Sequence, residues 1–198
     1  MKPTKRNIRK RKKDGSLWIL LGALLCIAVL TLLPGVGQMQ QAAYPQKYSD
    51  YVTYYADKYQ IDPMILYAVI RTESGFDPQA QSGVDARGLM QITEETFDWI
   101  KTKIAPDEAL VFEDLYQPET NIRFGSFYFT SCLQRYNGDL PTAAAAYHSG
   151  WGTVDRLLKD SKYSDNGQTL QVFPYTQMER YVEKITNSYS NYQEIYKE

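Results

Sequence analysis

Cysteine and histidine are scarce in this chain, and each shortage removes a class of chemistry. There are two cysteines, Cys26 and Cys132, and a single histidine, His148. Cys26 lies inside an apolar run behind Leu25 and does not read as a lipid-modified cysteine. Cys132 is then the one thiol of the polar remainder, so no internal disulfide and no cysteine-based metal site can form there. It reads as a small buried apolar residue. His148 has no Cys/His cluster around it, so no metal is expected, and nothing implies a cofactor. No glycine-rich phosphate loop is present, and the acidic balance of the bulk of the chain argues against nucleic acid as a partner. Alternating strand-like runs are nearly absent, as are internal repeats, which leaves a mainly α protein.

The net charge of −1 conceals an asymmetry. The first fourteen residues hold eight lysines and arginines against Asp14 alone, a balance of +7, whereas the rest of the chain has 14 basic and 22 acidic side chains, a balance of −8. Between the two stretches an apolar run extends from Leu17 to Leu33. At 1.5 Å per residue it reaches roughly 25 Å, and continuing to Gly37 brings it near a bilayer core. The run exceeds the usual apolar region of a cleaved signal, which favours a signal anchor over a cleaved leader. The positive-inside rule then puts the basic arm in the cytoplasm and the remainder outside. The expected organisation is a basic cytoplasmic arm over 1–16, one transmembrane signal anchor over 17–37, a juxtamembrane tether over 38–47 and an outer domain over 48–198.

Helical signals run through that domain. Ser49 to Tyr59 reads as a first helix. Asp62-Pro63 supplies an N-cap followed by proline at the first helical position. Leu66, Val69, Ile70 and Glu73 then follow at i, i+3, i+4 and i+7, and Gly75 ends the helix. Further helices are expected at Thr93 to Ile104, Asn121 to Tyr136, Pro141 to Tyr147 and Met178 to Tyr196. The stretches 75–88, 105–121 and 161–176 are the long loops, where function tends to concentrate.

Three segments carry residues suited to chemistry. Glu73 sits on the apolar stripe of its own helix, where a charged carboxylate is costly, so its pKa should be raised and the acid kept neutral as a general acid requires. A structural glutamate paired with Arg71 or Arg87 would satisfy the same pattern. Ser82 to Gln91 contains Gly83 and Gly88, which allow close backbone approach, and Gln91 can aim an amide at a sugar. Taken alone, an ordinary loop leading into a helix capped by Thr93 is the better reading of this segment. Ala143 to Ala146 permits tight helix packing and ends in Tyr147-His148. Tyr147 offers both a ring face and a hydroxyl, or simply plugs a core. The 17 tyrosines also suit sugar faces, though most will be packing residues.

Taken together these segments resemble the catalytic domain of the soluble-type lytic transglycosylases, the goose-lysozyme-like glycosidases that degrade murein. Glu73-Ser74 is similar to the family's Glu-Ser motif, Gly88-Leu89-Met90-Gln91 to its Gly-Leu-Met-Gln motif, and Ala146-Tyr147-His148-Ser149-Gly150 to its Ala-Tyr-Asn-Ala-Gly motif. Asn121-Ile122, Gly125, Phe173-Pro174-Tyr175 and Tyr181-Val182 also follow its pattern, and the likeness covers roughly residues 48 to 192. It implies a lysozyme-like helical domain with a substrate cleft, preceded by the one transmembrane helix. Glu73 would be catalytic, and Ser74, Ser82, Gly88, Leu89, Met90, Gln91, Tyr147, His148 and Tyr181 would bind substrate. Ser82 is expected to hydrogen-bond near Glu73, Met90 and Gln91 to line the cleft, and Tyr147 to orient the acid or the sugar. Departures are His148 and Ser149 for the family's asparagine and alanine, Gln177 for a frequent glutamate, and Asp85 in a loop where small residues are common.

The activity implied by the resemblance uses one glutamate twice. Protonated Glu73 donates to the oxygen between N-acetylmuramic acid and N-acetylglucosamine, then accepts the proton of the muramic C6 hydroxyl as it attacks C1, leaving a 1,6-anhydro end. Two alternatives stand beside it. One is a muramidase in which Asp77 or Asp85 positions a water, since most glycosidases employ two carboxylates. The other is a non-catalytic wall-binding module of an envelope assembly. Expected partners are peptidoglycan glycan strands, the membrane and envelope-machinery proteins.

Overall fold

The computed structural model describes residues 38–197, together with positions 22 and 35. The basic arm and, apart from those two glycines, the proposed anchor over 17–37 lie outside the described residues. No helix among the described residues is long and apolar enough to cross a membrane. The chain divides into two compact units, 1–43 and 44–198. In the first, residues 38–43 are helical. The second consists of α1 (Ser49–Tyr59), α2 (Pro63–Glu73), α3 (Glu94–Ile104), a 3₁₀ turn (Phe112–Tyr116), α4 (Pro118–Arg135), α5 (Leu140–Ser149), α6 (Trp151–Leu157) and α7 (Thr176–Ile195). Extended pairing among the described residues is limited to isolated bridges of Arg87 with Gln81 and with Ile92.

Helix α2 is the centre of the unit. Asp62 caps it by accepting from the Met64 amide at 2.8 Å, and Pro63 occupies its first turn without a wasted donor. Every residue from Ile65 to Ile70 is buried, so this helix is apolar all round and lies inside the fold rather than on it. It packs chiefly on α7. Tyr181 meets Glu73, Ser188 meets Arg71, and Tyr189 meets Asp62, which makes α2 and α7 antiparallel. Helix α5 is capped by Asp139, which accepts from the Thr142 amide at 2.9 Å. Ala143 to Ala146 are all fully buried. Their small side chains let α4, α6 and α7 converge on α5, and a larger residue there would overpack the contact.

A second apolar cluster joins Phe97 and Ile100 of α3, Phe112 and Leu115 of the 3₁₀ turn, and Phe124 of α4. Phe97 and Phe124 stack with centroids 5.2 Å apart. The turn falls within the stretch expected as loop at 105–121. Its buried positions, Phe112 and Leu115, are spaced by three, as one 3₁₀ turn requires. Helix α6 is additional to the helices expected from the sequence, and it is held by burial of Val154 and Leu157. Within the stretch read as tether, the carbonyls of Tyr44 and Pro45 accept from the Tyr196 and Tyr192 hydroxyls, both at 2.8 Å.

Candidate active site

Glu73 ends α2 and faces a cavity of about 250 Å³ whose walls include Ser82, Gln91, Tyr128, Tyr147 and His148. The Tyr181 hydroxyl donates to Glu73 Oε1 at 2.6 Å. Burial pushes the Glu73 pKa up to about 7, and the tyrosine's hydrogen bond opposes that rise. The carboxyl is thus poised between its two protonation states near neutrality. His148 stacks on Tyr181 with ring centroids 4.5 Å apart and an interplanar angle of 13°. Burial lowers the His148 pKa, so its imidazole stays neutral beside the acid. Desolvation raises both the Tyr147 and Tyr181 phenols well above their ordinary range, with the charge of Glu73 adding to the effect. Both remain protonated donors at working pH.

The alternative partners for Glu73 are engaged elsewhere. Arg87 forms a two-bond pair with Asp85, at 3.1 and 3.0 Å, reaches Glu113 at 3.0 Å, and lies 3.9 Å over the Phe112 ring. Arg71 sits 4.2 Å over the Tyr44 ring and donates to Ser188. Among the described residues no ion pair includes Glu73. The two aspartates that could position a water are also occupied. Asp77 accepts from the Gln79 amide at 2.9 Å in a turn, and Asp85 holds Arg87 and the Gln81 amide group. Among the described residues, Glu73 is the one acidic residue lining its cavity.

The loop 75–91 forms the opposite wall and is built on unusual backbone. Phe76, Asp85 and Gln91 all have φ in the left-handed region, at 69°, 57° and 48°. Such conformations cost about 1–3 kcal/mol each and persist only where surroundings impose them. Here Phe76 is buried in the core, and the Gln91 amide donates to the Ala80 and Gly88 carbonyls at 3.1 and 3.0 Å. Gly88 has φ +74°, and a Cβ there would strike the Asn121 side chain and the Leu115 carbonyl. Asn121, fully buried in α4, pins this loop from below. It accepts from the Met90 amide at 2.8 Å and donates to the Arg87 and Leu115 carbonyls at 2.9 and 2.8 Å.

These contacts sort the expected site residues. Ser82, Gln91, Tyr147 and His148 share the cavity with Glu73, and Tyr181 touches Glu73 itself. Ser82 Oγ accepts from the Ala86 amide at 3.0 Å, shaping its turn. Met90, expected to line the cleft, is fully buried, because its side chain fills the space against Gly125. Leu89 is likewise buried, and Ser74 turns inward to donate to the Leu89 carbonyl at 2.8 Å. The Tyr147 hydroxyl donates to the Met90 carbonyl at 2.7 Å, bracing the loop while its ring faces the cavity. Cys132 is buried and inert, its thiol pushed up to about 12, with the Trp151 indole donating to its sulfur at 3.1 Å.

The continuation of this cavity was not legible in the sequence. A neighbouring hollow of about 350 Å³ shares Thr96 and Tyr128 with it and is walled by Trp99, Trp151 and the exposed Glu95. The two indoles meet edge to face at 5.1 Å, and each stays part-exposed. Half-buried aromatics adjoining an acid cavity are the kind of surface that accepts sugar rings. The available signal was weak, since Trp99 and Trp151 are 52 positions apart.

A mainly helical unit with one buried acid at the end of its central helix, opening on a tyrosine-walled cleft, is lysozyme-like in architecture. The family model described as Transglycosylase SLT domain matches residues 50–169, and the chain belongs to this family. The membrane-bound lytic murein transglycosylase C of Edwardsiella ictaluri is 29% identical over 177 residues, covering 75% of this chain and 47% of that protein. The transglycosylase of Enterobacteria phage PRD1 is 36% identical over 106 residues, covering 54% of this chain and 36% of that protein. The chain therefore spans about half or less of these relatives' length. Among solved structures, an inactive mutant of the lytic transglycosylase Slt from Pseudomonas aeruginosa has a TM-score of 0.67 at 27% identity, covering 76% of this chain and 24% of that one. The 70 kDa soluble lytic transglycosylase of Escherichia coli has a TM-score of 0.72 at 24% identity, covering 80% and 26%, and speaks for the fold alone.

Proposed function

We propose that the chain is a peptidoglycan lytic transglycosylase in which Glu73 acts first as general acid and then as general base. The observation that carries this reading is a carboxylic acid held by Tyr181, with a pKa raised to about 7 and, among the described residues, no second acid lining its own cavity; the exposed Glu95 lines only the adjoining hollow. A hydrolase of the usual kind places a second carboxylate across the scissile bond. With Asp77 and Asp85 turned to other partners, an internal nucleophile is the better fit.

Protonated Glu73 gives its proton to the glycosidic oxygen as the muramic C1–O bond breaks and positive charge develops at C1. The resulting carboxylate takes the proton of the C6 hydroxyl, whose oxygen bonds to C1. No water is consumed, and Glu73 ends protonated as it began. Attack within one sugar can carry an effective concentration of about 10⁵ M or more. The part-buried site favours the neutral acid before the first step, and the Tyr181 hydroxyl steadies the carboxylate formed by it. Ser82, Gln91, Tyr147 and His148 are read as substrate-facing, and Trp99 and Trp151 as a platform for further sugars. The same proposal places residues 17–37 in the cell membrane as a single-pass anchor, with 1–16 cytoplasmic and the domain over 48–198 outside. Relatives named membrane-bound support membrane association, and the anchor and its direction rest on the apolar run and the basic arm.

The test is mass spectrometry of fragments released from purified peptidoglycan by the full chain in detergent micelles, beside Glu73→Gln. Products one water lighter than hydrolytic ones and resistant to borohydride, absent with the variant, are expected. Reducible ends would replace the reading with a muramidase. Binding without release by either protein would replace it with a wall-binding module.

A further inference from the structure

A hollow of about 430 Å³ opens between α2 and α7, lined by Arg71 and Thr72 from the first helix, Arg180, Lys184 and Asn187 from the second, and Tyr44. It shares no lining residue with the cavity of Glu73. Yet Arg180 directly precedes Tyr181, and Arg71 stands two residues before Glu73, so the hollow is built on the same helix stretches that carry the bonded pair, from another face of each.

Its charge runs against that of the molecule. Arg71, Arg180 and Lys184 face only Glu183 there, whereas the chain beyond its first fourteen residues carries a balance of −8. Arg180 and Lys184 are one turn apart on α7, where like charges repel, and neither forms an ion pair among the described residues. An anion between them would turn that repulsion into attraction. The Arg71 guanidinium is oriented beforehand by the Tyr44 ring at 4.2 Å and the Ser188 hydroxyl at 3.4 Å. The guanidinium thus adds a positioned positive charge to the lining. Thr72 adds a hydroxyl oxygen shielded from bulk solvent that has no hydrogen-bond partner among the described residues.

The geometry points to this hollow as a site for the carboxylates of the peptide stems that hang from the glycan strand, an inference that rests on the murein-cleaving reading of the Glu73 site. Each muramic sugar carries such a stem, and its free carboxylates are the fixed anions nearest the scissile bond. Along α2, Arg71 lies about 3 Å behind Glu73 on the helix axis. A stem of three to five extended residues spans roughly 10–17 Å, enough to round the end of α2 and enter the hollow. A lipid phosphate would satisfy the same cations but has no tie to the scissile bond. The hollow therefore selects stem-bearing strands and holds them by charge, away from the bond that breaks.

The experiment compares the full chain in detergent micelles on two substrates, strands with intact stems and the same strands stripped by an amidase. Wild type is expected to prefer intact strands in kcat/KM, and Arg180→Glu or the double variant Arg180→Ala/Lys184→Ala to lower that preference at least about fivefold through KM, with the pH profile of kcat unmoved. A preference unchanged by the variants, or absent from wild type, overturns the inference. A second measurement uses no catalysis: the free tetrapeptide stem is titrated into the protein by NMR. Shifts at Asn187 and Arg180 that vanish when the peptide's carboxylates are amidated support the site, and shifts indifferent to amidation overturn it. If wild type cuts neither strand, the murein-cleaving reading fails on its own. Anionic vesicles binding wild type but not Arg180→Glu, with no peptide shifts, would assign the hollow to lipid instead.

Discussion

The Tyr181 hydroxyl donates to Glu73 Oε1 across 2.6 Å, joining residues 108 positions apart at the end of the antiparallel pair α2–α7. One bond thereby sets both the direction and the acidity of the carboxyl. Burial alone would raise the pKa further than the value of about 7 that results, because the phenol favours the charged form. His148, stacked on the same ring, limits the freedom of the phenol to turn away.

Tyr181→Phe therefore shifts acidity in a known direction. Without the donor, the Glu73 pKa rises from about 7, so the protonated form persists to higher pH. The basic limb of the kcat/KM profile should move to higher pH, and the maximal rate should fall about tenfold as the carboxylate formed in the first step loses its donor. A basic limb that stays in place, measured on defined glycan strands, would remove Tyr181 from any role at the acid.

Glu73→Gln should cost about 10²–10⁴ in rate, as loss of a positioned acid/base does, and should stabilise the protein at neutral pH. In the folded state the Glu73 pKa is raised from its ordinary 4.5 to about 7. Its contribution to stability is then full below pH 4.5 and lost as pH rises through about 7. The variant has no such loss. Its stability relative to wild type should grow between pH 5 and pH 8, by at most about 3 kcal/mol. Urea unfolding at the two pH values decides this, and a constant difference would mean that the carboxyl is not shielded as described.

Asn121→Leu tests the floor of the loop. The substitution leaves the Met90 amide and the Arg87 and Leu115 carbonyls without their buried partner. About 2–4 kcal/mol of stability should disappear, since each unmet buried group costs about 1–3 kcal/mol. The strained conformation at Gln91 depends on the same loop, so activity should fall at temperatures where the variant is still folded. Calorimetry showing a loss under 1 kcal/mol would refute the anchoring role.

Much of the fold was legible because its signals are local. The cap at Asp62-Pro63 and the spacing from Leu66 to Glu73 defined α2 and put its acid on the apolar stripe, and the stop at Gly75 followed. The resemblance then raised Glu73 above the other two candidate segments, Ser82 to Gln91 and Ala143 to His148. Long-range pairings were not legible. Nothing near Tyr181 announces that its hydroxyl will reach Glu73, and Met90 looked cleft-facing although Gly125 makes room for it in the core. Helix α6 was not legible because it is only seven residues long, and the burial of Val154 and Leu157 that sustains it comes from other elements.

The aromatic platform makes a claim about substrate length. Trp99 and Trp151 wall a hollow that joins the acid cavity through Thr96 and Tyr128, so a strand placed across Glu73 can continue over the indoles only if it has sugars to spare. Trp99→Ala removes one face of that platform at a distance from the acid. Losing a part-exposed aromatic contact of about 1–2 kcal/mol weakens binding roughly 5- to 30-fold. The loss should appear in KM for long strands and be absent for the shortest strands cleaved, with the pH profile unchanged. Trp99 also packs on Phe127, at 6.0 Å, so the comparison belongs well below the variant's unfolding midpoint. An equal loss on short and long strands would mean that the indole supports the fold rather than the glycan.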